Sequence, residues 1–227
     1  MPTALVTGAN RGIGLEFVRQ YAADGWRVHA ACRDPDGARD LKKIAGDVEL
    51  HRLDVTDARQ IAALAKALKG EPIDLLINNA GVYGARGDGP GHMDYAAWEA
   101  TLRVNTLAPL RVSEALLPNV AASGKKLIVA ITSRMASIDL NTEGGSYAYR
   151  SSKAALNAAM RSLAADLRAR GVIVAVFSPG WVKTDMGGRG ATVGVADSIA
   201  GMRSVIARLR PADSGKFFSY DGSTIPW

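Results

Sequence analysis

Short apolar runs alternate with longer amphipathic stretches along the whole chain. The apolar runs predict strands at residues 4–7, 27–32, 49–53, 74–78, 126–132, 172–178 and 216–220. Most of them are hydrophobic at nearly every position, which is typical of strands covered on both faces. The clearest helical periodicities cover residues 146–170 and 195–209. This alternation predicts one doubly wound α/β domain over residues 1–227, with a parallel seven-stranded sheet and helices on both faces.

A glycine-rich turn follows the first predicted strand, with the spacing G-x-x-x-G-x-G. Glycines let the backbone turn sharply and approach a pyrophosphate, and the helix that follows offers its free N–H groups to the phosphates. We therefore expect a Rossmann-type dinucleotide loop, although a merely glycine-rich turn would have the same composition. Its candidate binding residues are Gly8, Asn10, Arg11, Gly12, Ile13 and Gly14.

The residues after the second predicted strand bear on the choice of dinucleotide. An NAD-binding fold usually has an acidic residue near this position for the ribose 2′-hydroxyl. Here the strand ends at Cys32 and Arg33 follows. With Arg11, the Arg33 guanidinium could hold a 2′-phosphate, which favours NADP (NADPH) over NAD. The alternative is that Arg33 is a solvated loop residue and that Asp34 binds the ribose of NAD.

Composition and charge limit the classes of partner. The chain has 48% hydrophobic and 22% charged residues, 24 glycines and a formal net charge of +6. Its basic residues form no long run, so we expect neither a nucleic acid nor a membrane partner. The single cysteine and the scattered His29, His51 and His92 show no metal-ligand spacing, so no metal is expected. A chain without a signal peptide or an 18-residue apolar run is expected to be cytoplasmic.

A tyrosine and a lysine share one stripe of the helix predicted at residues 146–170. Tyr149 and Lys153 lie on the same line as Leu156 and Met160, which is the buried face. Burying a lysine costs free energy, so the pair indicates function. An ammonium beside the phenol is expected to lower the pKa of Tyr149 and make it a better acid or base. The alternative is a tyrosine at the helix entrance with a snorkelling lysine.

These motifs, in this order, resemble the short-chain dehydrogenase/reductase family over essentially the full length. They are the glycine turn Gly8 to Gly14, Asp54-Val55, Asn78-Asn79-Ala80-Gly81, Ser133, Tyr149-x-x-x-Lys153, and Pro179-Gly180 with Thr184. The segment Ser178 to Gly188 and the tail from Phe217 resemble the branch with the C-factor proteins and the sniffer-type carbonyl reductases.

The resemblance implies a role for each matched position. Tyr149 would give a proton to the substrate oxygen, Ser133 would hydrogen-bond that oxygen, and Lys153 would hold the nicotinamide ribose. Asp54 and Val55 would contact the adenine, and Thr184 would meet the carboxamide. The other cofactor positions implied are Asn79, Ala80, Gly81, Pro179, Gly180 and Val182.

The family's fourth catalytic residue, an asparagine that anchors a water relay, falls on Asn105. Pro109 has no N–H for the Asn105 carbonyl, so we expect that carbonyl to be freed for a water leading to Lys153. Pro109 could equally kink a long helix around the sheet, and the two readings are compatible.

The serine position departs from the family pattern. Ser133 precedes Tyr149 by a few residues more than is usual, which leaves Ser137 as a rival hydroxyl. The extra residues, 138–144, and the glycine-rich segments 82–92 and 183–192 are expected to lie around the substrate.

The sequence thus favours an NADPH-dependent reductase of aldehydes or ketones, acting on a small carbonyl or alcohol. Two alternatives remain: an alcohol dehydrogenase working in the oxidative direction, and a dinucleotide-binding signalling protein of the C-factor kind. The sequence leaves the oligomeric state open, and the resemblance points to a homodimer or homotetramer, because this family often pairs through the helices around Asn105 and Tyr149.

Overall fold

A parallel seven-stranded sheet forms the centre of the fold, in the order β3-β2-β1-β4-β5-β6-β7. The computed structural model describes residues 1–87 and 89–227, so Asp88, in the segment 82–92, lies outside the described residues. The strands are β1 (Thr3–Thr7), β2 (Arg27–Cys32), β3 (Val48–Arg52), β4 (Leu75–Asn78), β5 (Leu127–Ile131), β6 (Ile173–Ser178) and β7 (Phe217–Ser219). The predicted α/β fold with a seven-stranded parallel sheet is confirmed.

Helices cover both faces of this sheet. They are α1 (Gly12–Ala23), α2 (Ala58–Ala67), α3 (Tyr95–Leu102), α4 (Ala108–Ala121), α5 (Tyr147–Asp166) and α6 (Val195–Ala207). One buried cluster includes Phe17 of α1 and Met202 of α6. The other includes Val112 of α4 and Leu156 of α5, on the opposite face of the sheet. Burial on both faces explains why most strand sequences are continuously apolar.

The strand order reverses at β1, which pairs with β2 on one side and with β4 on the other. At such a switch point the loops that follow the two central strands diverge and leave a crevice at their carboxyl ends. The glycine turn follows β1, and Asn79 to Gly81 follow β4. The topology therefore brings two predicted cofactor segments to the same edge.

A π turn, Arg103–Leu107, separates α3 from α4. Its hydrogen bond runs from the Ala108 N–H to the Arg103 carbonyl, and Pro109 lies in the first turn of α4, where its missing N–H is tolerated. The helix irregularity expected near Pro109 therefore takes the form of a π turn just before that proline. Such turns are frequent at functional sites.

Within residues 1–87 and 89–227, none of the helices combines the length and the apolar character needed to cross a membrane.

Candidate active site

The first turns of α5 hold Tyr149 and Lys153 in the interior. Ser146, immediately before the helix, has a left-handed backbone with φ 48°. Tyr149 is 9% exposed and Lys153 is 5% exposed, whereas Tyr147 on the same helix is 37% exposed. The lysine therefore does not snorkel to the solvent, and the pair lies on the buried stripe.

Two hydrogen bonds fix this pair. The side chains of Ser133 and Tyr149 are hydrogen-bonded to each other. Lys153 Nζ donates to the carbonyl of Ile131 at 2.9 Å and lies 6.0 Å from the centre of the Tyr149 ring. Because Ile131 ends β5 and Ser133 follows it, both groups meet α5 at the carboxyl edge of the sheet.

Burial dominates the protonation of the pair. It raises the pKa of Tyr149 to about 12, an effect that the Ser133 hydrogen bond reduces and nearby Tyr83 increases. Burial also lowers the pKa of Lys153 to about 8. The expectation that Lys153 makes the phenol more acidic is therefore wrong for this arrangement. Desolvation is the largest influence on the pKa of Tyr149, and the Lys153 ammonium donates to the Ile131 carbonyl rather than to the phenol.

Ser137, the rival to Ser133, is engaged elsewhere. Its hydroxyl donates to the Trp227 carbonyl at 3.2 Å and accepts from the Leu140 N–H at 3.2 Å. Of the two serines, Ser133 is the one that the structure brings to Tyr149.

Asn105, in the π turn, is fully buried and its side-chain amide makes three hydrogen bonds. Its Nδ2 donates to the Val82 carbonyl at 2.8 Å and to Ser152 Oγ at 3.0 Å, and its Oδ1 accepts from the Val82 N–H at 2.9 Å. The side chain thus joins the loop after β4 to α5. A β-carbon added to Gly81 would lie 3.2 Å from Asn105 Oδ1 and 3.4 Å from Lys153 Nζ, so all three meet at one point.

The glycine turn is tightly packed against the loop after β4. Gly8 has φ 65°, and a β-carbon there would lie 2.8 Å from Ala80 Cα. A β-carbon on Gly14 would lie 2.2 Å from the Gly8 carbonyl oxygen. Asn79 Nδ2 ties the two loops together by donating to the carbonyls of Thr7 and Gly8. Glycine is therefore required at both positions.

The segment after β6 closes the same groove. A β-carbon on Gly12 would lie 3.4 Å from Thr184 Cγ2, so this segment faces the glycine turn. Val182 is buried and its carbonyl accepts from the Thr184 N–H at 2.8 Å. The Pro179 carbonyl accepts from Ser198 Oγ at 2.6 Å, and Gly180 has φ 80° beside Tyr220.

This groove suits the pyrophosphate of a dinucleotide. The N-cap residue of α1, Arg11, makes no side-chain cap hydrogen bond, and the first turn of that helix contains no acidic residue. The first N–H groups of α1 are therefore available to an anion, and the compact glycines allow it to approach.

The remaining predicted cofactor residues lie in the segments that follow β1, β2 and β3. Asp54 is half-buried and its Oδ1 accepts from the N–H and hydroxyl of Thr56, while Val55 is 9% exposed. Asn10 is exposed and Ile13 packs against the core. Arg33 is exposed, and within the described residues its side chain makes no ion pair.

Sequence reasoning missed an aromatic contact at the active site. The ring of Tyr83 stacks on Tyr149 with 4.6 Å between ring centres. The Tyr83 hydroxyl is 2.8 Å from Ser146 Oγ. The Arg86 guanidinium lies over the Tyr83 ring, 5.1 Å from its centre. Arg86 also donates to the Met186 carbonyl at 3.4 Å, which joins the segments 82–92 and 183–192. The only sequence signal was an aromatic residue shortly after Gly81.

Comparisons with known proteins agree with this geometry. The family model described as short chain dehydrogenase matches residues 2–192. C-signal from Myxococcus xanthus is 50% identical over 159 residues, covering 69% of this chain and 93% of that protein. The NADPH-bound carbonyl reductase from chicken fatty liver is 38% identical, with a TM-score of 0.91 over 100% of this chain and 99% of that one. Carbonyl reductase Sniffer of D. melanogaster is 31% identical, with a TM-score of 0.93 and complete coverage of both chains. The chain belongs to the short-chain dehydrogenase/reductase family of oxidoreductases, in the branch with C-signal and the sniffer-type carbonyl reductases.

Proposed function

We propose that this oxidoreductase reduces a small aldehyde or ketone with NADPH, with residues 1–227 acting as a single domain. The observation that carries the proposal is the buried triad at the carboxyl edge of the sheet, in which Ser133 hydrogen-bonds Tyr149 and Lys153 lies one helical turn further on. The carbonyl reductases among its structural relatives support the same substrate class.

In the proposed mechanism, Tyr149 is the acid. Its phenol carries its proton at neutral pH, because burial raises its pKa to about 12, and donates that proton to the carbonyl oxygen. NADPH, when bound, supplies the hydride to the carbonyl carbon. Ser133 donates a hydrogen bond to the oxygen as negative charge develops there. The Lys153 ammonium then stabilises the phenolate that remains, and it would hold the ribose hydroxyls of the cofactor.

The other residues of the site position these groups. Asn105 holds the loop after β4 against α5 and so fixes the distance between Gly81 and Lys153. The groove residues would hold the cofactor, with the pyrophosphate at Gly8 to Gly14 and the adenine near Asp54 and Val55. Thr184 would hold the carboxamide.

We propose carbonyl reduction as the direction at neutral pH. Burial raises the pKa of Tyr149, so the phenol carries the proton that reduction consumes. Alcohol oxidation would use the same site in reverse, and the ratio of NADPH to oxidised cofactor decides between the two directions.

The choice of NADPH rests on the surroundings of Arg33. Its guanidinium is exposed at the end of β2, while Asp34 Oδ1 accepts from the Gly37 N–H at 3.1 Å within its own turn. Among the described residues, Arg11 forms one ion pair, an exposed one with Asp185 at 3.7 Å, which a phosphate would displace. Both arginines are exposed and can approach a 2′-phosphate, which supports NADPH as the cofactor.

The experiment for the reaction compares two tyrosine variants. The protein is assayed with NADPH and a panel of aldehydes and ketones, alongside Tyr149→Phe and the control Tyr147→Phe on the same helix. We expect activity in the wild-type protein and in Tyr147→Phe, and a loss of at least about 100-fold in kcat for Tyr149→Phe. Undiminished turnover by Tyr149→Phe would rule out the mechanism.

The experiment for the cofactor compares kcat/KM for NADPH and NADH. Arg33→Ala should lower kcat/KM for NADPH by about tenfold or more and leave the value for NADH nearly unchanged. Arg39→Ala, an exposed arginine of the same loop, is the control and should change neither. A wild-type preference for NADH would refute the 2′-phosphate site.

The similarity to C-signal favours a second function, signalling by a dinucleotide-binding protein. That function predicts tight binding of NADPH, measured by fluorescence or calorimetry, with no turnover of any carbonyl in the panel. Turnover that depends on Tyr149 favours the reductase.

A further inference from the structure

A polar cluster lies at the β3 edge of the sheet, away from the strand ends that form the active site. It contains His29 of β2, and Glu49 and His51 of β3. Residues His29 and Glu49 are register partners, and His51 follows Glu49 by two, so all three project from the same face. Their ligand atoms all lie within 4.8 Å of one another.

The distances within the cluster converge on one point. His29 Nδ1 is 2.9 Å from His51 Nε2 and 3.5 Å from a carboxylate oxygen of Glu49. His51 Nε2 is 3.6 Å from the other oxygen of Glu49. Two imidazole nitrogens and a carboxylate thus face each other, with His29 fully buried and the Glu49 side chain 56% exposed. The cluster is therefore buried at His29 and open to solvent at Glu49.

A further glutamate fixes the orientation of the buried ring. His29 Nε2 is 3.0 Å from Glu71 Oε1, and the same carboxylate oxygen accepts from Arg27 at 3.2 Å. A carboxylate can only accept, so Nε2 of His29 carries the proton and Nδ1 presents a lone pair towards His51. A histidine whose outer N–H is held by a carboxylate is the usual arrangement of a histidine metal ligand.

We propose that His29 Nδ1, His51 Nε2 and the Glu49 carboxylate bind one divalent transition-metal ion, with zinc as the expected metal. Two histidines and one glutamate are an established zinc ligand set, and water completes a tetrahedron from the exposed side. This site is independent of the proposed reductase activity.

The geometry requires only a small adjustment. Bonds of about 2.0–2.1 Å in a tetrahedron separate ligand atoms by about 3.3 Å. The nitrogen–oxygen distances of 3.5 and 3.6 Å, one to each oxygen of Glu49, are close to that value. The carboxylate has to turn so that one oxygen faces both nitrogens, and the nitrogen pair at 2.9 Å has to open slightly. The exposed Glu49 and the half-buried His51, both on the edge strand, can make this movement.

Charge also favours a divalent cation. The carboxylates of Asp47, Glu49 and Glu71 surround the cluster, and Arg27 pairs with two of them. Three carboxylates and one guanidinium leave two negative charges, which one divalent ion neutralises. Binding moves the His51 proton from Nε2 to Nδ1, so the ring stays neutral.

The test uses untagged protein treated with EDTA and then dialysed against zinc. Metal per chain is measured by mass spectrometry, and cobalt is added in a parallel sample because four-coordinate Co²⁺ has intense visible d–d bands. We expect one zinc per chain, and those bands, in the wild-type protein and in His92→Gln, whose exposed histidine lies outside the cluster.

Variants of the cluster give the specific outcome. His51→Gln and Glu49→Gln should lose stoichiometric binding, and Glu71→Gln should bind zinc about 10–100 times more weakly. Circular dichroism checks that each variant is folded. Zinc at 100 times its dissociation constant should raise the Tm of the wild-type protein by about 5–10 °C and leave that of His51→Gln unchanged.

Two results would overturn the proposal. One is a wild-type protein that retains no zinc and shows no cobalt bands, which would mean that His29 and His51 are only a hydrogen-bonded pair. The other is binding that survives in both His51→Gln and Glu49→Gln.

Discussion

Lys153 is expected to destabilise the fold, so that replacing it with methionine makes the protein more stable and inactive. Methionine has nearly the same length and shape but no charge, and the position is 5% exposed. The variant removes a buried ammonium that the proposed chemistry requires.

The size of the effect comes from two opposing contributions. Burial lowers the pKa of Lys153 from 10.5 to about 8, which corresponds to about 3 kcal/mol of unfavourable burial of the charge. Methionine cannot donate to the Ile131 carbonyl, and an unsatisfied buried acceptor costs about 1–3 kcal/mol. We expect a net gain of about 1 kcal/mol at pH 7, or roughly 2–4 °C in Tm.

The pH dependence isolates the charge contribution. A lysine with a lowered pKa in the folded state destabilises fully below about pH 8, because it is then charged in the folded protein. Between about pH 8 and 10.5 the unfolded chain binds more protons, so the wild-type protein gains stability. The advantage of Lys153→Met should therefore shrink by about 3 kcal/mol from pH 7 to pH 11.

Urea unfolding of both proteins at several pH values measures this difference. Lys66→Met, an exposed lysine on α2, is the control and should show a difference that is nearly independent of pH. A stability difference between Lys153→Met and wild type that stays constant from pH 7 to pH 11 would refute the reasoning. So would full activity in Lys153→Met.

Three further predictions follow from the site. Gly14→Ala places a methyl group 2.2 Å from the Gly8 carbonyl oxygen. NADPH binding, measured by fluorescence titration, should weaken at least tenfold, and the Tm should fall. Unchanged binding would contradict the prediction that only glycine fits at this position. Tyr83→Leu removes the ring stacked on Tyr149 and should raise KM more than it lowers kcat in steady-state assays with an aromatic carbonyl. If neither constant changes, Tyr83 is not part of the site. The kcat/KM for reduction should fall above about pH 8, where Lys153 loses its proton, and a profile that is level to pH 10 would argue against the ammonium's role.

The sequence predicts well those elements whose hydrophobic pattern can be read from neighbouring residues alone. The run at 126–132 contains β5, because this strand is apolar on both faces and its pattern needs no knowledge of its neighbours. Tyr149 and Lys153 could be placed on one stripe because helical periodicity alone determines it.

What the sequence does not reveal depends on contacts between distant segments. His29 and His51 are 22 residues apart, and only the pairing of β2 with β3 brings their nitrogens together. The stacking of Tyr83 on Tyr149 likewise needs the loop after β4 to be placed. The direction of the Tyr149 pKa could not be predicted, since the depth of burial that controls it is a property of the whole fold.

The π turn at Arg103–Leu107 also limits where this protein can accept insertions and deletions. A π turn contains one residue more than an α-helical path would need, and each residue rotates the helix by about 100°. Deleting one residue there would join α3 and α4 into a regular helix and rotate Asn105 away from Val82 and Ser152. The exposed residues 141–145 can change in length without such a rotation. Related sequences should therefore vary freely in length before α5 and hardly at all within this turn.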